Sequence, residues 1–355
     1  MRRLSICILL PCVIPLQVSC DIPFPGVSGP PGNDFASAGL LVLSAAGSAS
    51  ISGTLTQGEV DVYDLGPCDA GDRIQVTIRA AAGSLLDPTA GLFNADGHLL
   101  TLNDDLDLSA GRLESVIDFI VAVATAHCYL ATTRSFFTAD PGGYVGTVNV
   151  AKGGAVPQAL VQTLVLEFRG GLVSIPGISD RTLDAFKASD INAAYAGMTD
   201  FIKDGIISTV RQNFQGTGLV VVTSDDSPPP APGSFSTLYF GGFSANAFGI
   251  SEDIDHENMN RCDDGIVFTT DFSDPFAPQP SASGVATAIG NVAAHEGGHL
   301  LGLEHVADIT ALMDTTGTAS TLLADQTFKI APLDTAVFPI GEQNSPLLLE
   351  RVIPQ

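Results

Sequence analysis

The sequence predicts two domains. The first is an N-terminal all-β sandwich. The second is an α+β domain built on a mixed sheet and a long helix. Three observations carry this reading. Residues 36–152 are short alternating apolar runs cut by Gly, Asp and Asn turns, the pattern of a β-sandwich. Residues 157–355 mix strand-like apolar runs with stretches of helical periodicity. Three of the chain's six histidines fall within His295–His305, at the end of one such helical stretch.

Composition narrows the function classes. At 355 residues the chain is long enough for two domains, and its 45% hydrophobic content excludes global disorder. Lys+Arg is 15 against Asp+Glu 39, a formal net charge of −24. That charge argues against nucleic acid or an anionic membrane surface as partner.

Residues 1–19 read as a secretion signal. Arg2 and Arg3 open it, and Leu4–Leu16 is an apolar run too short to span a bilayer comfortably. Val18-Ser19-Cys20 resembles the end of a bacterial lipobox, with Gln17 where Leu is usual. The resemblance implies lipid on Cys20; the alternative is a plain secretory signal. Residues 20–35 hold Pro23, Pro25, Pro30 and Pro31 and read as an extended tether.

In the sandwich region the expected strands are 50–55, 60–65, 73–79, 90–94, 115–122, 128–133 and 144–149, with a hairpin turn at Asn94–Gly97. Cys68 and Cys128 are its two cysteines, and an oxidising exterior would allow a disulfide between them. Val60–Tyr63, Asp87–Gly97, Asn103–Asp105 and Gly143-Tyr144 resemble the bacterial pre-peptidase C-terminal (PPC) domain, a small β-sandwich found beside secreted peptidases. In that family the sandwich usually follows the peptidase; here it precedes the second domain.

Pro157 marks the boundary. Residues 163–168, 218–223, 236–240 and 265–270 are expected strands, and residues 180 to about 213 are expected to be helical, with a break near Gly205. Asp253, Asp255, Asp263 and Asp264 form an acidic insert that either binds Ca²⁺ or is a solvated loop. Residues 286–301 are expected to form the helix that carries the histidines.

His295 and His299 are four apart, one turn apart on one helix face. Gly302 suits a sharp helix end, because glycine takes φ > 0 without steric cost. The turn returns His305 as a third ligand. Three neutral imidazoles with one open position make a zinc site of the catalytic kind. Glu296, beside the first ligand, is placed to act on water as general base. By chance these offsets arise in about one of 10⁵ chains of this length.

The string resembles the long zinc signature of the metzincin metallopeptidases. Ala311-Leu312-Met313 is similar to their Met-turn, and Met313 follows His305 by eight residues, a spacing similar to the matrixins. Val306 stands where matrixins usually have Ser, and Asp314-Thr315 where they usually have an aromatic and Pro. The resemblance implies a zincin-like catalytic domain, an exported endopeptidase acting on protein or peptide substrates, and a substrate-binding edge strand near residues 239–248. The competing reading is a non-catalytic surface or adhesion protein that binds through the sandwich. A closed structural zinc site would need a fourth ligand, for which Cys262 is the remaining thiol.

Overall fold

The computed structural model describes residues 31–355 except 139, 177, 227–229, 231–234, 274 and 277. The expected signal, Cys20 and most of the tether lie outside the described residues.

The first domain contains β1 (Gly39–Leu40), β2 (Ser48–Leu55), β3 (Val60–Asp64), β4 (Arg73–Ala80), β5 (Pro88–Phe93), β6 (Leu99–Asn103), β7 (Ser115–Ile120), β8 (Tyr129–Arg134) and β9 (Gly142–Ala151). They form two sheets, ordered β1-β3-β8-β5-β6 and β2-β9-β4-β7. β6 goes beyond the sequence reading. It pairs with β5 through the turn expected at Asn94–Gly97, where Gly97 N donates to Asn94 O at 3.0 Å. The two sheets differ in burial. Along β4 the residues alternate, with Ile74, Val76 and Ile78 inward and their neighbours exposed, as in a sheet wetted on one face. β5 is buried at every position, and β3 and β8 nearly so. That sheet is covered on both faces.

The second domain begins with β10 (Thr163–Glu167), followed by the hairpin β11 (Gly171–Val173) and β12 (Arg181–Leu183). The helix expected from residue 180 is therefore interrupted. Arg181–Leu183 pairs as a strand, and helix resumes as α1 (Ala188–Ile191) and α2 (Thr199–Asn213). Gly205 lies within α2 rather than at a break. A Cβ on Gly205 would stand 2.6 Å from Ala286 Cβ, and one on Gly290 would stand 2.5 Å from Thr209 Cβ. The glycines thus let α2 and α3 (Ala282–His299) cross closely. Ile202, Ile206 and Val210 give α2 a buried stripe at fourfold spacing.

The strands β13 (Val220–Thr223), β14 (Phe235–Phe240), β15 (Gly249–Ser251) and β16 (Asp264–Val267) complete a mixed sheet ordered β13-β10-β14-β16-β15. β15 runs antiparallel at the edge; the other pairings are parallel. Leu164, Leu166, Leu238, Phe240 and Val267 face α2 and α3. Ile266, Tyr239 and Ile250 face the β11–β12 hairpin, packing with Val173 and Leu183. The chain ends with the pair β17 (Ile330–Pro332) and β18 (Glu342–Asn344), then α4 (Ser345–Val352).

This C-terminal segment covers the outer face of the first sheet. Leu333 and Phe338 cluster with Val60, Val62, Phe93, Leu99 and Tyr129. Arg351 of α4 lies 4.1 Å from the Phe119 ring centroid, donates to Leu100 O at 2.9 Å and pairs with Glu257.

Cys68 and Cys128 are buried thiols here, not the expected disulfide. Their side chains nevertheless touch through a hydrogen bond, which holds the Cys68 thiol below its ordinary value. The main chain brings them together: Leu65 N donates to Cys128 O at 2.8 Å and Cys128 N to Gly66 O at 2.9 Å. Incubation with oxidised glutathione is expected to join them by exchange through a mixed disulfide. Peptide mapping without reductant then recovers the Cys68 and Cys128 peptides linked; recovery of separate peptides alone would overturn this.

Candidate metal centre

The site starts from a helix end. Ser281 caps α3, its Oγ accepting from Gly284 N at 3.1 Å. At the other end Leu303 N donates to Gly298 O and Gly302 N to His299 O, both at 2.9 Å. This pair of bonds is a Schellman closure, which needs a left-handed residue at Gly302. Its φ is +86°, and a Cβ there would stand 2.7 Å from Asp255 O. Conformation and space both require glycine.

The closure turns the chain so that His305 faces the helix. The ring nitrogens of His295, His299 and His305 lie within 4.8 Å of one another. His299 Nε2 is 3.1 Å from His295 Nε2 and 2.9 Å from His305 Nε2. His295 Nδ1 lies 2.8 Å from Leu312 O, and His299 Nδ1 lies 2.7 Å from Leu303 O. A carbonyl only accepts, so each Nδ1 carries the proton and each Nε2 presents a lone pair. Two lone pairs 3.1 Å apart repel unless a cation lies between them. Burial holds all three imidazoles below the ordinary histidine value, His305 at about 3. A proton is therefore a poor occupant, and the residues fit a metal ion. Three imidazoles on an open site fit zinc.

Glu296 is buried one residue from the first histidine, and burial pushes its carboxyl up to about 8. Its Oε2 has no hydrogen-bond partner among the described residues. A Cβ on Gly249 would stand 2.5 Å from Glu296 Oε1, so the β15 backbone passes directly over the carboxylate. Sequence reasoning missed Gly249; a lone glycine in a short strand is its signal. The edge strand is thus Gly249–Ser251, not residues 239–248, because Tyr239 and Phe240 belong to β14, which is paired on both sides.

Met313 is buried, and its Sδ lies 2.6 Å from where a Cβ on Gly298 would stand. Its carbonyl accepts from Val306 N at 3.0 Å, which ties the turn to the residue after His305. Cys262 is exposed, and among the described residues the group with the geometry to hold a metal ion is the three histidines.

The calcium expectation is not supported. Asp255 Oδ1 accepts from Met259 N and Oδ2 from Asn260 N, at 2.9 and 2.8 Å. Asp253 Oδ1 accepts from Ile254 N, and Asp263 Oδ1 from Ser236 Oγ. Asp264 is hydrogen-bonded to Thr237. These carboxylates serve their own loop and its neighbouring strand, and do not converge on one centre.

No protein-family profile matches the chain. No curated protein matches it either. Among solved structures it is similar to archaemetzincin from Methanopyrus kandleri, at 12% identity and TM-score 0.29, over 56% of this chain and 98% of that one. A zinc-dependent peptidase from Methanocorpusculum labreanum is similar at 14% identity and TM-score 0.24, over 45% and 91%. The pre-peptidase C-terminal domain of a Bacillus anthracis collagenase is similar at 18% identity and TM-score 0.23, over 31% and 92%. These are distant, partial likenesses.

The depressed imidazoles fix a pH response. A histidine held below its ordinary value stays neutral to lower pH, so proton competition with metal also sets in lower. Three freely titrating imidazoles would lose roughly 10³-fold in zinc affinity between pH 7 and 5.5. Here Glu296 is the main group that must change charge, and the loss is expected to be no more than about 30-fold. Chelator competition at the two pH values measures it. A loss near 10³-fold would show that the imidazoles titrate freely.

Proposed function

We propose that the protein is a zinc-dependent endopeptidase of the zincin type, with His295, His299 and His305 as ligands and Glu296 as general base. The supporting observation is the convergence of the three Nε2 atoms next to a buried carboxylate oxygen that has no partner among the described residues. A purely structural site has no use for such an oxygen. Zinc, when bound, supplies Lewis acidity toward a scissile carbonyl and makes water a stronger acid. The residues do the rest. His295 and His299 are locked by their backbone bonds with Nε2 inward. Glu296, ionised once the metal is bound, takes the proton of the attacking water through Oε2 and hands it to the leaving amine. β15, at the sheet edge over Glu296, offers its unpaired side to an extended peptide. Met313 fills the space beside Gly298.

The eight-residue spacing from His305 to Met313 is the feature that favours a matrixin-like relationship. The charged, apolar start and Val18-Ser19-Cys20 favour export with a lipid on Cys20, so that a membrane is touched only through that anchor.

Glu296→Gln keeps side-chain size and leaves the imidazoles in place. It is expected to retain zinc while peptide hydrolysis falls about 10²–10⁴-fold. His299→Ala is expected to lose both metal and activity. Zinc content and digestion of a casein or gelatin substrate read the two effects. Wild-type rates in Glu296→Gln would remove the base from the mechanism. A zinc-loaded wild type that cleaves nothing across a broad peptide library would favour the binding-protein reading.

A further inference from the structure

His295 and His299 are placed by a helix, but His305 stands on irregular chain whose position needs support from outside. Beside the Val306–Met313 bond described above, one segment supplies much of it. Glu304 N donates to Gln343 Oε1 at 2.7 Å, and Gln343 Nε2 donates back to Glu304 O at 2.8 Å. Asp334 N donates to His305 O at 3.0 Å, and Val306 bridges Leu333. The main chain on both sides of the third histidine is thus held by residues 333–343. Gln343 is fully buried. Its amide alone among side chains of that size matches both the N–H and the C=O of a peptide unit.

The far side of the same segment is embedded in the sandwich. Glu342 N donates to Gly97 O at 3.0 Å, and the Phe338 ring lies 5.4 Å from that of Phe93. Leu333, which bridges Val306, shares a cluster with Val60, Val62 and Leu99. A continuous set of contacts therefore runs from the sandwich sheet to the residue before the third histidine.

We propose that Gln343 is a positioning residue for His305, and that the β-sandwich, acting through residues 333–343, is part of the support of the metal centre. This rests on the zinc reading of the histidines and is independent of what the protein cleaves. Partners that orient metal ligands from behind commonly change metal affinity 10–100-fold when removed. Coupling between the two regions must also be reciprocal.

The test uses the full protein, after zinc content shows that wild type binds one ion. Gln343→Leu, shown folded by circular dichroism, is expected to release zinc to a chelator 10–100-fold faster. Its cobalt-loaded form is expected to show an altered visible spectrum. Phe338→Ala, which lies at the sandwich contact, is expected to speed release in the same direction by less. Wild type itself supplies a measurement that needs no variant. Removing zinc is expected to speed deuterium exchange at residues 333–343 and 97–102 while β4 and β9 are unchanged. Exchange that changes only within 295–313 overturns the proposal, as do folded variants with wild-type release rates. A wild type that binds no zinc overturns the zinc reading and this inference with it, whereas zinc-binding wild type with unaffected variants overturns this inference alone.

Discussion

The structure depends on holding two imidazole lone pairs about 3 Å apart in a buried place. Left to themselves, His295 and His299 would turn their Nε2 atoms away from each other. They do not, because Leu312 O and Leu303 O each require a proton at Nδ1. Both carbonyls come from chain beyond the helix, so the turn at Gly302 is what brings the acceptors into place. The helix supplies spacing, the turn supplies orientation, and burial keeps protons off. What remains is a pocket of electron pairs that a divalent cation would satisfy.

The helix that carries this site is a poor helix by intrinsic preference. Gly290 and Gly297 each cost about 1 kcal/mol relative to alanine in a helix interior, and Gly298 adds a third glycine in the last turn. Packing explains all three. Gly290 admits Thr209 of α2, Gly297 meets Leu164 and Phe214, and Gly298 leaves room for Met313 Sδ. A Cβ at Gly298 would collide with the Met313 sulfur. The helix gives up local stability for close approach on two sides, and burial against α2 and the sheet offsets the loss.

How much of this was legible in the sequence follows from the range of the interactions. The histidine spacing, the glycine turn and the strands of the sandwich are local patterns, and the chain shows them within a few residues. Arg181–Leu183 was misread as helix because three residues carry too little periodicity to outweigh the helical stretch beside them. The acidic insert left a cation site and a solvated loop both open because composition does not reveal that Asp255 bonds the backbone of Met259 and Asn260. Gln343 has no local signal at all. Its importance lies in facing Glu304, 39 residues away, and no spacing rule predicts that encounter.

The same range argument bears on the sandwich. A domain joined by a flexible linker would bury its strands on one face and wet the other, as β4 does. β3, β5 and β8 are buried on both faces, although an antiparallel sheet of this kind is commonly solvated on one side. Leu333 and Phe338, which cover this face together with Phe35, come from more than 200 positions later in the chain. Val60, Val62 and Phe93 on the sandwich side match them in apolar character. Exposing such a pair of surfaces would cost roughly 25 cal/mol for every Å² uncovered. Arg351, placed between the Phe119 ring, Leu100 O and Glu257, adds a directional contact that apolar burial lacks. The apolar cluster holds the two domains together, and the arginine fixes their register.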